Sequence, residues 1–190
     1  MELSFLKGTE FVFLDLETTS ASVAKTHIRE FGMAEFVDGV KTREGSALFS
    51  GGKSEPMALK VHGIAEESVM GKPTFASKAK DVGNILSNKI IGGHNVMKFD
   101  LPIIARILAE KGHRISGSGE KGRIRIVDTL LLARKHLHAP SNKLEDLCPM
   151  YDIVHGGHRA HGDAISSWNL FLKIIEITGN TNINDYIKVI

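Results

Sequence analysis

The chain has 190 residues, 42% apolar and 24% charged, enough for one globular domain with a sizeable core and unlike a disordered or fibrous polymer. Its 24 Lys and Arg against 22 Asp and Glu leave a formal net charge of +2, which excludes holding a polyanion by overall charge and leaves that role to a local patch or a bound metal. Cys148 is the only cysteine, so no intrachain disulfide forms, and the opening "MELSFLKGTE" shows neither a signal peptide nor a membrane span; a reducing, cytoplasmic setting without a membrane partner is expected.

The segment "EFVFLDLE" (10–17) reads as a buried strand. "IREFGMAEFVDG" (28–39) and "KTREGSALFS" (41–50) follow as strands, with Asp38-Gly39 as a hairpin turn, giving a three-stranded antiparallel meander. Residues 74–88 read as helix and "NKIIGGHN" (88–95) as a short apolar strand. "DLPIIARILAEKG" (100–112) is a helix: Leu101, Ile104, Ala105 and Leu108 share a stripe, Pro102 suits its first turn and Gly112 its stop. "SGSGEKG" (116–122) reads as a flexible insertion. "GRIRIVDT" (122–129) reads as a strand, after which Asp128 caps a helix from Thr129. Asn142 and Glu145 have capping-box spacing, opening a short helix through Leu147. The last helix runs from about Asp163 to Thr178, with Ile165, Trp168, Leu172 and Ile175 on one face and Gly179 ending it. The predicted fold is α/β: a mixed five-stranded sheet flanked by helices, one domain over residues 1–190 with its core at about 10–178 and a short C-terminal tail.

Asp15 and Glu17 stand two apart at the end of the first strand, so both point to one face, where like charges repel. Asp100 and Asp163 open two of the helices; taken singly, each has the ordinary reading of an N-cap. All four lie at element termini, where one sheet edge can gather them, and such a cluster needs a counter-charge. Carboxylate-only ligation suits Mg2+ or Mn2+, and two ions roughly 3.5–4 Å apart would serve phosphodiester hydrolysis by activating water and stabilising the leaving oxygen.

Three motifs then carry a family resemblance: "LDLETTS", with Ser20 where the family pattern has glycine; "GHNVMKFD", ending in Asp100; and "HRAHGDA", with His158 five residues before Asp163. The segments "LKVHGIAEESV", "VDTLLLARKHL" and "NKLEDLCPMYDI" extend the likeness over roughly residues 10–178. The chain resembles the DEDDh-type 3′–5′ exonucleases of RNase H-like fold, the group that includes the proofreading subunit of bacterial replicative polymerases. Three residues separate His94-Asn95 from Phe99-Asp100, a spacing similar to that of the three-prime repair exonucleases.

The resemblance implies an RNase H-like sheet, Asp15, Glu17, Asp100 and Asp163 as ligands of two Mg2+ or Mn2+ ions, and His158 as general base, a role suited to a side chain that titrates near neutrality. His161 is the local rival for that role, and His155 has no motif behind it. Leu16 and Thr18 (through their backbone), Val61, His62 and Asn95 are expected at the terminal nucleotide. Arg123, Arg125, Arg134, Lys135 and Lys143 are the cations available to phosphates, none singled out. The expected partner is a nucleic acid with a free 3′ end, DNA ahead of RNA, and a homodimer is compatible. An exoribonuclease acting on short RNA, a non-catalytic nucleic-acid-binding module and an internally cutting RNase H-type nuclease are the competing readings.

Overall fold

Nine residues of mostly apolar sequence form the central strand β1 (Glu10–Thr18) in the computed structural model, which describes residues 3–190. It pairs antiparallel with β2 (Ile28–Val37), which pairs antiparallel with β3 (Val40–Leu48). Two short helices follow, α1 (Pro56–His62) and α2 (Glu66–Val69), and then α3 (Ala79–Leu86). Strand β4 (Ile90–Gly93) lies parallel to the other side of β1, and α4 (Asp100–Glu110) follows it. Strand β5 (Arg125–Asp128) is parallel to β4 and runs into α5 (Thr129–His136). After α6 (Leu144–Met150) comes the long α7 (Ala160–Thr178), and β6 (Lys188–Val189) closes the sheet in the order β3-β2-β1-β4-β5-β6. Because β1, β4 and β5 are parallel, their carboxyl ends share one edge, the usual place for a site in such sheets.

The period-two alternation of β1 sorts the core into two layers. Phe11 and Phe13 meet Ala34 and Phe36 of β2 and Trp168, Phe171 and Ile174 of α7. Trp168 stacks on Phe36 with ring centroids 4.0 Å apart and meets Phe13 edge-on at 5.2 Å, contacts that lock α7 over the β1–β2 pair. Val12, Leu14 and Leu16 instead face Leu101, Ile104 and Leu108 of α4. Continuing the first alternation beyond Phe13 carries Asp15 and Glu17 onto the α7 side. Gly32 of β2 admits the first turn of α7: a Cβ there would collide with the Ala160 and His161 backbone.

The sheet has six strands, not five. Residues 179–190 are not a tail: Ile183 and Tyr186 are buried in the α7 layer, and β6 pairs antiparallel with Arg125 and Ile126. The polar run "GNTNIND" hides this from the sequence, because only two residues complete the ladder. The predicted helix over 74–88 divides into a 3₁₀ turn (Phe75–Lys78), capped by Thr74, and α3. The capping box fails. Asn142 does not cap α6, whose N-cap is Lys143 without a side-chain bond; the Asn142 carbonyl accepts instead from His94 Nε2 at 2.9 Å. The insertion at 116–122 is anchored, with Ser118 Oγ donating to the Lys89 carbonyl at 3.1 Å and Gly117 N–H to that of Gly122. Asp163 lies inside the first turn of α7, not at its opening. No helix among the described residues is long and apolar enough to cross a membrane.

Candidate active site

The carboxyl-end edge of the sheet opens into a cleft of about 360 Å³ lined by Asp15, Leu16, Glu17, Val61, Asn95, Asp100, Lys143, Glu145, His155, His158 and Asp163, together with His94, Phe99 and Leu144. Asp15 and Glu17 enter from β1. Asp100, the first residue of α4, does not cap its own helix; its Oδ1 accepts from the Leu16 N–H at 3.1 Å, which brings its carboxylate onto β1. Asp163 arrives from α7. Asp15, Glu17 and Asp163 each bring one oxygen within 4.8 Å of the others.

Aspartate 128 stays out of this set. It accepts from the Leu130 and Leu131 N–H groups as the cap of α5, and from Asn95 and Met97 N–H at 3.1 and 3.0 Å. One carboxylate therefore ends β5, starts α5 and holds the loop that leads to Asp100. Asn95 takes left-handed backbone there, with φ 65. His94, to which the sequence attached no role, bridges Thr129 Oγ1 at 3.0 Å and the Asn142 carbonyl, tying this loop to the approach of α6.

Burial and mutual repulsion put the acids under strain. Burial is the largest cause that pushes Glu17 up to about 8, ahead of Asp163, Glu30 and Asp100, with Arg159 opposing. Burial likewise raises Asp100 to about 7, against the N–H bonds from Leu16 and its own backbone. Asp15 is held well above the usual carboxylate range by burial, then by Asp100, Glu17 and Asp163. Asp163 is raised by burial, less so because the His155 and His158 rings oppose it. Its Oδ1 is buried without a hydrogen-bond partner. All-oxygen donors, unneutralised charge and an orphaned oxygen fit a hard divalent cation.

A pH dependence follows. These carboxyls bind protons more tightly folded than unfolded, where they titrate near about 4. Their contribution to stability is therefore complete below about pH 4 and is lost as pH rises through about 7 for Asp100 and about 8 for Glu17. In chelator, the melting temperature is expected to fall between about pH 5 and 9, and a saturating divalent cation to reverse most of the fall, because binding displaces the same protons. A melting temperature in chelator that stays flat or rises over that range would contradict this arrangement.

The histidines separate. His158 takes left-handed backbone (φ 58) on the cleft wall, its Nε2 3.4 Å from Glu145 Oε2. His161 is absent from the lining, and its Nδ1 is buried without a partner. His155, which no sequence motif marked, faces Asp163 Oδ1 with Nε2 at 3.3 Å. The Gly157 N–H donates to His155 Nδ1, so a neutral His155 carries its proton on Nε2, which lies close to Asp163 Oδ1 without forming a hydrogen bond to it. His155, His158 and Asp163 form a second trio with ligand atoms within 4.8 Å. In that tautomer Nε2 carries a proton, so His155 is not a metal ligand.

The expected nucleotide contacts divide as well. Val61, Leu16 and Asn95 line the cleft, although the Leu16 N–H is already taken by Asp100. Thr18 and His62 do not line it. Thr18 Oγ1 donates to the Ser20 carbonyl at 2.9 Å. His62 ends α1 just before the left-handed Gly63; its Nδ1 accepts from Ile64 N–H and its Nε2 is buried. Of the five cations, Lys143 reaches the cleft; Arg123 and Arg125 line a separate hollow beside β6, and Arg134 and Lys135 lie in the last turn of α5.

Two buried charges behind the cleft have no local sequence signal. Arg29 is buried and holds the segment that carries α1, donating to Ser54 Oγ at 3.0 Å, to the Gly52 carbonyl at 2.7 Å and to the Glu66 carboxylate. The next residue, Glu30, is fully buried and meets Arg159 and the Ala160 N–H on the α7 side.

Fold and acid cluster together are those of the RNase H-like nucleases. The family model for exonucleases (RNase_T) matches residues 12–171. The chain is 30% identical over 175 residues to the DNA polymerase III epsilon subunit of Buchnera aphidicola from Acyrthosiphon pisum, covering 88% of this chain and 72% of the relative. It is 26% identical to the Escherichia coli K12 epsilon subunit over 184 residues, covering 90% and 72%. Its fold is similar to that of E. coli Exonuclease I in complex with a dT13 oligonucleotide, with TM-score 0.79 and 19% identity over 94% of this chain. The chain spans less than half of that protein, 43% of its length. The chain belongs to the exonuclease family, as a DEDDh-type 3′–5′ exonuclease of RNase H-like fold, and divalent-metal dependence is general to that family.

Proposed function

We propose that this protein hydrolyses DNA from the 3′ end and releases nucleoside 5′-monophosphates, with Asp15, Glu17, Asp100 and Asp163 holding two Mg2+ or Mn2+ ions. The observation that carries this reading is the gathering of four carboxylates from β1, α4 and α7 at one cleft, all but Asp100 brought there on the α7 side of β1. When bound, the ions supply charge neutralisation at the scissile phosphate and lower the pKa of water.

The chain's own residues do the rest. His158 accepts the proton of the attacking water, for which its Nε2 leaves Glu145 and turns into the cleft. Water oxygen bonds to phosphorus, the bond to the 3′ oxygen of the penultimate nucleotide breaks, and that oxygen takes a proton from solvent to become the new 3′ hydroxyl. Val61, Leu16 and Asn95 border the terminal nucleotide, and Lys143 stands at the rim as a cation for the phosphates.

The test is digestion of 5′-labelled single-stranded DNA, duplex DNA and RNA. A descending ladder is expected on DNA with Mg2+ or Mn2+, loss of all products in chelator, and little turnover with Ca2+, whose looser coordination misaligns water and phosphate. A ladder on RNA alone would move the substrate to RNA. Full activity in excess chelator would remove the metal reading.

A further inference from the structure

Glutamate 30 has no place in the ligand set, yet it is fully buried one strand away from it, with Glu17 as its register partner across β1 and β2. Its oxygens accept from Arg159 Nη2 at 3.2 Å and Arg159 Nε at 3.3 Å, a two-pronged contact, and one also accepts from the Ala160 N–H at 3.4 Å. Arg159 is the N-cap residue of α7 and makes no side-chain cap of its own. The cap is supplied from β2, 130 residues away in sequence. On one side of this anchor lies His158, on left-handed backbone; four residues on the other side lies Asp163.

We propose that the Glu30–Arg159 pair is a positioning device for the reaction: it sets the start of α7 against β2, and so fixes His158 and Asp163 relative to Asp15 and Glu17. Gly32, two residues along the same strand, lets the α7 backbone sit close enough for the pair to form. A buried carboxylate left without its guanidinium is costly, so Glu30 depends on Arg159, whose own side chain stays half in solvent. The two-pronged geometry fixes direction as well as distance, which a lysine would not.

The inference rests on His158 as general base and Asp163 as ligand. The test is Arg159→Gln, measured alone and in a His158→Ala background. Arg159 is 55% exposed, so its replacement leaves the core packing in place; melting curves check folding, and if the single variant unfolds, Glu30→Gln/Arg159→Gln, which leaves no unpaired buried charge, takes its place. Arg159→Gln is expected to lower kcat by about 10–100-fold with KM within about twofold, as misplacement of reacting groups does. In the His158→Ala background the same change is expected to cost clearly less than in the wild type, because the share that acts through His158 is already gone and only the share that acts through Asp163 remains. Arg159→Lys should restore only part of the loss. An unchanged kcat, an equal loss in both backgrounds, or a raised KM at constant kcat would overturn the proposal, the last by making Arg159 a phosphate contact. Failure of the underlying reading shows separately, as near-normal turnover in His158→Ala alone.

Discussion

Replacing Asp163 by asparagine is expected to cut exonuclease turnover by about 10³-fold or more while raising the melting temperature of the metal-free protein. The first effect follows from removing a charged oxygen that would bind metal at the reacting phosphate, which is worth at least as much as one donor at an oxyanion site. The second follows from the electrostatics of the cleft. Asp163 pushes up both Asp15 and Glu17, and its own Oδ1 is buried without a partner. A neutral isostere relieves that repulsion. Asp15→Asn and Asp100→Asn should behave alike, except that Asp100→Asn keeps an acceptor for the Leu16 N–H and so leaves β1 and α4 joined. Opposite signs for activity and stability separate ligand loss from general damage. A variant that loses activity and melts lower would point to misfolding instead, and near-normal turnover with Mg2+ would take that residue out of the ligand set.

His158→Ala should lower turnover by roughly 10²–10⁴-fold, the usual contribution of a positioned base, with metal affinity nearly unchanged because four carboxylates remain. His161→Ala should cost far less, because its ring lies off the cleft. The pH–rate profile makes the assignment. At saturating divalent cation the acids are already deprotonated, but metal-bound water can ionise in the same range, so the comparison of variants assigns the base: the rising limb should vanish in His158→Ala. His155→Ala should keep that limb and lower its height, since His155 faces Asp163 and not the water. If the limb survives in His158→Ala and disappears in His155→Ala, the two roles are exchanged.

Much of this site was legible because its signals are local. Asp15 and Glu17 share a face by strand period, Asp100 opens α4, and Asp163 falls in the first turn of α7, three residues past its start. The strand meander, the Gly179 stop and the Asp128 cap rest on neighbouring residues in the same way. What escaped depends on contacts that no window of sequence contains. "IREF" reads as an ordinary strand, yet Arg29 closes on Glu66 and Glu30 on Arg159. His155 gains its place only when the 151–159 loop folds back on α7, where Gly156 packs against Gly162. The capping box at Asn142 failed although its spacing was correct: α6 starts one residue later, with Lys143 as N-cap, and Asn142 Oδ1 is buried without a partner while its carbonyl accepts from His94, 48 residues away. His62 fitted its motif, and the tight turn at Gly63 buried it.

Arg29 and Glu30 are joined by a single peptide bond and grip opposite walls of the cleft, one through the segment that bears Val61, the other through the helix that bears Asp163. Strand β2 therefore acts as a gauge block between the two jaws. Its length matters as much as its composition. One residue added or lost within 30–36 would turn the strand over beyond that point, offering Glu30 to the wrong jaw or Phe36 to the wrong layer. A scan of single-codon insertions and deletions should find this stretch as intolerant as the acids themselves, although no side chain in it lines the cleft.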